Sequence, residues 1–199
     1  MNWFLVFWTF LIIQRLAEVK IAKKNEETLM SKGAVEAGSS HYKWMVTMHA
    51  SFFLFLFAEV MFFSTFSPSW WVIPFVLFLI AQVIRVWAIT SLGVFWNTKI
   101  ILLPGAEVVA KGPYRFIRHP NYLVVSLELL VIPLIFGAYF TALLFTILNI
   151  LMLRVRIPAE EKALMELTDY ENRHGEKLVS FLVNNRAEVN PIHNLSLFA

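Results

Sequence analysis

Apolar runs recur along this chain at about residues 3–21, 44–66, 71–92, 122–135 and 139–153, separated by polar or turn-forming breaks. A helix needs roughly 20 apolar residues to cross the hydrocarbon of a bilayer, and only helices and closed barrels can satisfy their backbone hydrogen bonds there. The pattern predicts an all-α, polytopic transmembrane helical bundle of about five spans. Composition points the same way: 58% of the residues are hydrophobic and only 16% charged, where soluble domains carry roughly 25% charged residues. Residues 1–158 are expected to form the bundle, and 159–199 a cytosolic, helical carboxyl-terminal segment.

The breaks carry the topology. Lysines and arginines concentrate in 20–43, in 93–118 and beyond Arg154, whereas the turns at 67–70 and 136–138 hold none. Five spans with that asymmetry put the amino terminus outside and the carboxyl terminus in the cytoplasm, in a plasma membrane of bacterial type. A net charge of +3 distributed this way reflects membrane topology, and no nucleic-acid partner is expected. Met1-Asn2-Trp3-Phe4 lacks a basic leader, so the first span is expected to be retained. Absence of cysteine excludes disulfides and a thiolate nucleophile. Trp3, Trp8, Trp44, Trp70 and Trp71 read as interfacial anchors. His41, His49 and His119 lack ligand spacing, and no metal site is expected.

Several charges fall inside the apolar runs. Arg15 and Glu18 share a helical face. His49 and Glu59 lie in the second run, Gln82 and Arg85 in the third, Glu128 in the fourth. Unpaired charge is costly in hydrocarbon, so Arg85 is expected to pair with Glu128, and Glu59 with His49 or Arg15. A substrate-pocket role stays open for Arg85 and Glu128, and for Trp96 in the segment 92–110. That segment is too broken to span and reads as a re-entrant or interfacial loop within 93–121.

Thirteen residues before the fourth run concentrate the chemistry: Lys111-Gly112-Pro113-Tyr114-Arg115-Phe116-Ile117-Arg118-His119-Pro120-Asn121-Tyr122-Leu123. Gly112-Pro113 turns the chain, and Pro120 suits a first helical position while biasing His119 out of the helix. Arg118, His119, Asn121 and Tyr122 are thereby presented at the mouth of a membrane helix, whose free amides favour an anion. A lipid-phosphate contact needs only the charge, without this bracketing by prolines and tyrosines.

A second cluster, Arg156-Ile157-Pro158-Ala159-Glu160-Glu161, follows the fifth run. Pro158 would bend or restart the helix, placing both carboxylates in a first turn where the dipole alone favours them. On the same side of the membrane as Arg118-His119, they could also hold a zwitterion: a carboxylate on Arg118, an amino group or ribose hydroxyls on Glu160 or Glu161. The amino-acid end of S-adenosylmethionine has that charge pattern.

Gly112-Pro113-Tyr114-Arg115, then Arg118-His119-Pro120-Asn121-Tyr122, and Glu160-Glu161 with Leu164 some forty residues on, resemble the isoprenylcysteine carboxyl methyltransferase family of S-adenosylmethionine-dependent membrane enzymes. Leu92-Gly93 with Phe95-Trp96 is similar to the stretch before that motif, and the resemblance covers roughly residues 80–170. Gln14-Arg15-Leu16, Glu18 and His41-Tyr42 are more like a bacterial branch. That branch includes enzymes encoded beside type III polyketide synthases that O-methylate long-chain alkylpyrones. The resemblance implies cofactor contacts from Arg118, His119, Pro120, Tyr122, Glu160 and Glu161, supported by Tyr114 and Asn121. It departs at Leu123, where glycine is common, and at Leu167-Thr168-Asp169-Tyr170.

Methyl transfer from a sulfonium needs alignment and charge complementarity more than acid–base work. An anionic acceptor, carboxylate or enolate, would need a cation to steer it, for which Arg154, Arg156 and Arg173 stand available. A neutral hydroxyl would need a base such as His119 or Glu161. The expected partners are a lipophilic small-molecule acceptor entering sideways and membrane lipids. The competing readings are an NADPH-dependent reductase of the sterol-reductase type and a non-enzymatic membrane scaffold. The first conflicts with carboxylates where a 2′-phosphate would sit, and the second leaves both motifs unexplained.

Overall fold

The computed structural model describes residues 2–63 and 67–168. Five helices carry the fold: α1 (Asn2–Met30), α2 (Ser39–Phe62), α3 (Val72–Leu92), α4 (Pro120–Ile135) and α5 (Tyr139–Leu167). Of these, α2, α3 and α5 are long and apolar enough to cross a membrane. The all-helical bundle expected from the apolar runs is what forms, and the chain is an integral membrane protein. Its outer surface keeps large apolar side chains exposed, among them Val83, Leu54 and Leu143, as a lipid-facing surface requires.

Aromatic and aliphatic side chains fill the interior. Phe4, Leu11, Phe52, Leu56, Phe78, Ile135 and Phe145 are buried in one cluster, with Phe145 edge-on to Phe52. Trp3 lies against Trp71 and Phe136, and Trp70 against Tyr139, at the end that holds the uncharged turns. Trp8 departs from the anchor expectation: its Nε1 donates to the Phe53 carbonyl at 3.1 Å and ties α1 to α2.

The intramembrane charges meet in one network. Arg85 donates to Glu128 through Nε at 3.1 Å and also through Nη2, and to Glu18 at 2.8 Å. Arg15 bridges the same two carboxylates, reaching Glu18 at 2.6 Å and Glu128 as well. Gln82 donates to Glu128 at 2.6 Å and accepts from Gln14. Two cations against two anions leave the network neutral. The Arg85–Glu128 pair is the one expected; the partner expected for Glu59 is not. Glu59 accepts from the amides of Phe140 and Thr141 and from the Thr141 hydroxyl, at 3.1, 2.7 and 2.5 Å. It caps α5, satisfying orphan donors at a helix start.

At the opposite end, the last turns of α1 support a small cap. β1 (Val35–Ala37) pairs antiparallel with β2 (Ile100–Leu102), Glu36 opposite Ile101. Lys99 reaches Glu26 at 2.7 Å and Glu36 at 3.1 Å, and these carboxylates raise its pKa. Asn25 and Asn97 tie α1 to the segment 93–97 through the Trp96 and Ala22 carbonyls. The segment read as an irregular loop is thus a 3₁₀ turn and a strand held onto α1. The ribbon was not foreseen, because each strand is only three residues long, too short for an alternating pattern.

Two prolines sit inside helices. Pro133 lies in the last turn of α4. Pro158 interrupts nothing: α5 runs unbroken from Tyr139 to Leu167. Of the bend or restart expected at Pro158, the restart is overturned, and with it the explanation of Glu160 and Glu161 as first-turn residues.

Candidate active site

Because α5 is continuous, Arg156 and Glu160 stand four residues apart on one face, and Tyr122 from the first turn of α4 inserts between them. The Tyr122 hydroxyl donates to Glu160 and accepts from Arg156 Nε at 2.9 Å. Arg156 is buried, and its Nη2 also donates to the Thr98 carbonyl at 2.6 Å, coupling the cap to the helices. His119 stacks on Tyr122 with ring centroids 5.2 Å apart and directs Nε2 to Glu161 at 3.2 Å. Since a carboxylate only accepts, that nitrogen carries the proton. Arg118 lies 3.7 Å from Glu161, with its side chain 58% exposed.

The turn before α4 is fixed by close packing. Pro113 is buried, Asn121 donates to the Tyr114 hydroxyl at 3.1 Å, and burial together with Glu160 pushes the Tyr114 phenol above its usual range. Tyr114 therefore keeps its proton and can still donate it. Gly112 has φ of +56°, and a Cβ there would lie 2.0 Å from Ser91 Oγ and 2.9 Å from Trp87 Nε1. Gly112→Ala is expected to destabilise the protein by roughly 1–3 kcal/mol, read as a lower unfolding temperature in detergent. A melt equal to wild type would mean α3 and the turn separate freely.

Behind these groups lies a cavity of about 570 Å³, within the size range of small-molecule sites. His119, Asn121, Tyr122, Glu160, Arg156 and Tyr114 all contribute to its wall, as do Arg118 and Trp96. Trp96 is 4% exposed, and its indole N–H has no hydrogen-bond partner among the described residues. A buried donor without a partner is costly; Nε1 itself has almost no accessible surface, although Trp96 lines the cavity.

Pro120 is buried and supports the helix start. The amides of Tyr122 and Leu123 both go to the His119 carbonyl, so the anion site expected of the free helix start shrinks to the Asn121 amide. Arg85 lines the cavity, whereas Glu128 stands behind that wall in the ion network. Arg154 is exposed and outside the lining. Arg173 lies outside the described residues.

The sequence reading did not assign Arg15, Tyr42, His49, Thr98 or Asn149 to the cavity wall, where they stand. A signal existed for Asn149: with Arg156, Glu160 and Leu164 it makes a stripe at helical spacing on α5. Thr98 offered none, since its placement depends on the β1–β2 pairing.

A family described as "Isoprenylcysteine carboxyl methyltransferase (ICMT) family" matches residues 71–166, the segment containing every site residue from Arg85 to Glu161. An uncharacterised protein of Bacillus subtilis (strain 168), YpbQ, is 49% identical over 166 residues, covering 83% of this chain and 98% of that protein. An uncharacterised protein of Haemophilus influenzae is 30% identical over 156 residues, covering 77% of this chain and 90% of its own length. No solved structure matches.

Proposed function

Because the chain belongs to the isoprenylcysteine carboxyl methyltransferase family of membrane methyltransferases, we propose that it transfers a methyl group from S-adenosylmethionine to an oxygen of a lipophilic acceptor. The observation that carries this reading is the meeting of Arg118, His119, Tyr122 and Glu160 on the wall of one cavity, with Glu161 beside them and bonded to His119. Two carboxylates suit an ammonium group and ribose hydroxyls, and Arg118 and the Asn121 amide suit a carboxylate.

The donor would supply an activated methyl on a positive sulfur. The protein's part is alignment and exclusion of water. Tyr122 holds Glu160 in one rotamer by donating to it while Arg156 holds Tyr122. Glu161 is held likewise by His119. Neither carboxylate then has to reorganise when the ligand arrives. The same pair disfavours a dinucleotide bearing a 2′-phosphate, which argues against the reductase reading.

The acceptor class we favour carries a long hydrocarbon chain, alkylpyrone enols and prenylcysteine carboxylates included, and the site faces the cytoplasm, where the donor is found. Membranes containing the overproduced protein, given methyl-labelled S-adenosylmethionine, are expected to place label in organic-extractable material. The Glu160→Ala variant should place none. Equal labelling by both would overturn the assignment.

A further inference from the structure

The cavity has a second polar end, away from Glu160 and His119, where His49 lies alongside Arg15, Glu18 and Arg85. His49 stands on α2 seven residues beyond Tyr42, two turns deeper, or roughly 10 Å along the axis. Its Nδ1 contacts the Met45 carbonyl at 2.8 Å. A carbonyl only accepts, so Nδ1 holds the proton and the neutral ring offers a lone pair at Nε2. That Nε2 has no hydrogen-bond partner among the described residues, and His49 lines the cavity.

The wall beside it leads to lipid. Leu16, Val19 and Val46 line the cavity and are 64%, 52% and 47% exposed. The seam between α1 and α2 is accessible at this depth, whereas toward the other end Trp8 bonds to Phe53, and Trp8 and Phe4 both pack on Phe57. A hydrocarbon chain lying in that seam would bring its head group to His49.

We propose that His49 is the base for a neutral, weakly acidic hydroxyl carried on a long-chain acceptor, with Arg15 beside it to hold the resulting oxyanion. This rests on the methyltransferase reading and names its substrate class. Charge decides the class. Arg15 and Arg85 are already balanced by Glu18 and Glu128, so a carboxylate would find no free cation in this network and only the donor's sulfonium to match it. A hydroxyl enters neutral, and proton transfer creates its own counter-ion.

The step balances. The acceptor O–H bond breaks, its proton goes to His49 Nε2 and the electron pair stays on oxygen. That oxygen bonds to the methyl carbon as the carbon–sulfur bond breaks and its pair returns to sulfur. The positive charge lost at sulfur reappears on the His49 imidazolium, which releases a proton before the next turnover. Arg15 keeps guanidinium protons beyond the two that reach Glu18 and Glu128. The charged groups around His49 come from three elements: Arg15 and Glu18 on α1, Arg85 on α3 and Glu128 on α4.

The probe is 4-dodecyl-2-nitrophenol, whose absorbance reports its ionisation directly and without a methyl donor. Mixed with donor-free protein in detergent below the probe's own pKa, it is expected to turn to the phenolate on the wild type and to stay neutral on His49→Gln. With labelled S-adenosylmethionine, His49→Gln should methylate 4-dodecylphenol at least about 100-fold more slowly and lose the acid limb of the pH profile. Added imidazole should restore His49→Ala. Each variant must first melt and bind S-adenosylhomocysteine as the wild type does. Ionisation by His49→Gln equal to wild type, or preferential methylation of dodecanoate, would overturn the proposal while leaving the methyltransferase reading standing. Failure of wild-type protein to bind S-adenosylhomocysteine would overturn that reading instead, since the optical signal does not depend on it.

Discussion

Glu160→Ala is expected to weaken S-adenosylhomocysteine binding by about 100-fold or more, and His119→Ala to do the same, while both proteins insert into the membrane normally. Charge-assisted hydrogen bonds contribute roughly 1.5–3 kcal/mol each, and every 1.4 kcal/mol or so is tenfold in affinity. Glu160 is proposed to provide one such bond to the ligand, and its loss also removes the acceptor that orients the Tyr122 hydroxyl. His119 acts through Glu161, which it holds at 3.2 Å, and through its stacking on Tyr122. Tyr122→Phe separates the two contributions: it keeps the ring stack but leaves Arg156 Nε and Glu160 without their shared partner, so a smaller loss is expected. Calorimetry on purified protein checks all three. Unchanged affinity in Glu160→Ala would remove the carboxylate pair from the donor site.

Removing Glu128 is expected to be the most destabilising single change in the bundle. It accepts from Arg15, Arg85 and Gln82 and is 2% exposed. Glu128→Ala leaves two guanidinium groups sharing Glu18 alone, and stranding a buried charge in this way typically costs about 3–5 kcal/mol. The unfolding temperature and the yield of folded protein should both fall sharply. Arg85→Leu combined with Glu128→Leu should recover much of the loss, because apolar side chains of similar volume replace both charges. A Glu128→Ala protein that melts like wild type would show that water reaches the network.

The site was legible in the sequence where its chemistry lies close along the chain. Arg118, His119, Asn121 and Tyr122 are set by the two prolines around them, and the structure brings Arg118, His119 and Tyr122 to Glu160 and Glu161, with Asn121 on Tyr114. The Arg85–Glu128 pair was legible because two opposite charges in apolar helices have few ways to be satisfied. Pro158 misled, since an internal proline is tolerated in a membrane helix when neighbouring groups satisfy the freed carbonyl. Glu59 misled for a different reason: the orphan amides it caps belong to a helix starting some eighty residues later. His49 could not be assigned from sequence at all. Its role depends on which ring nitrogen meets the Met45 carbonyl, a relation within one turn that apolar patterning does not encode.

The most direct test of the account is calorimetric titration of the detergent-purified wild-type protein with S-adenosylhomocysteine and, separately, with NADPH. The account predicts saturable binding of S-adenosylhomocysteine in the micromolar range and no heat from NADPH. Binding of NADPH without S-adenosylhomocysteine, in protein shown to be folded, would contradict it.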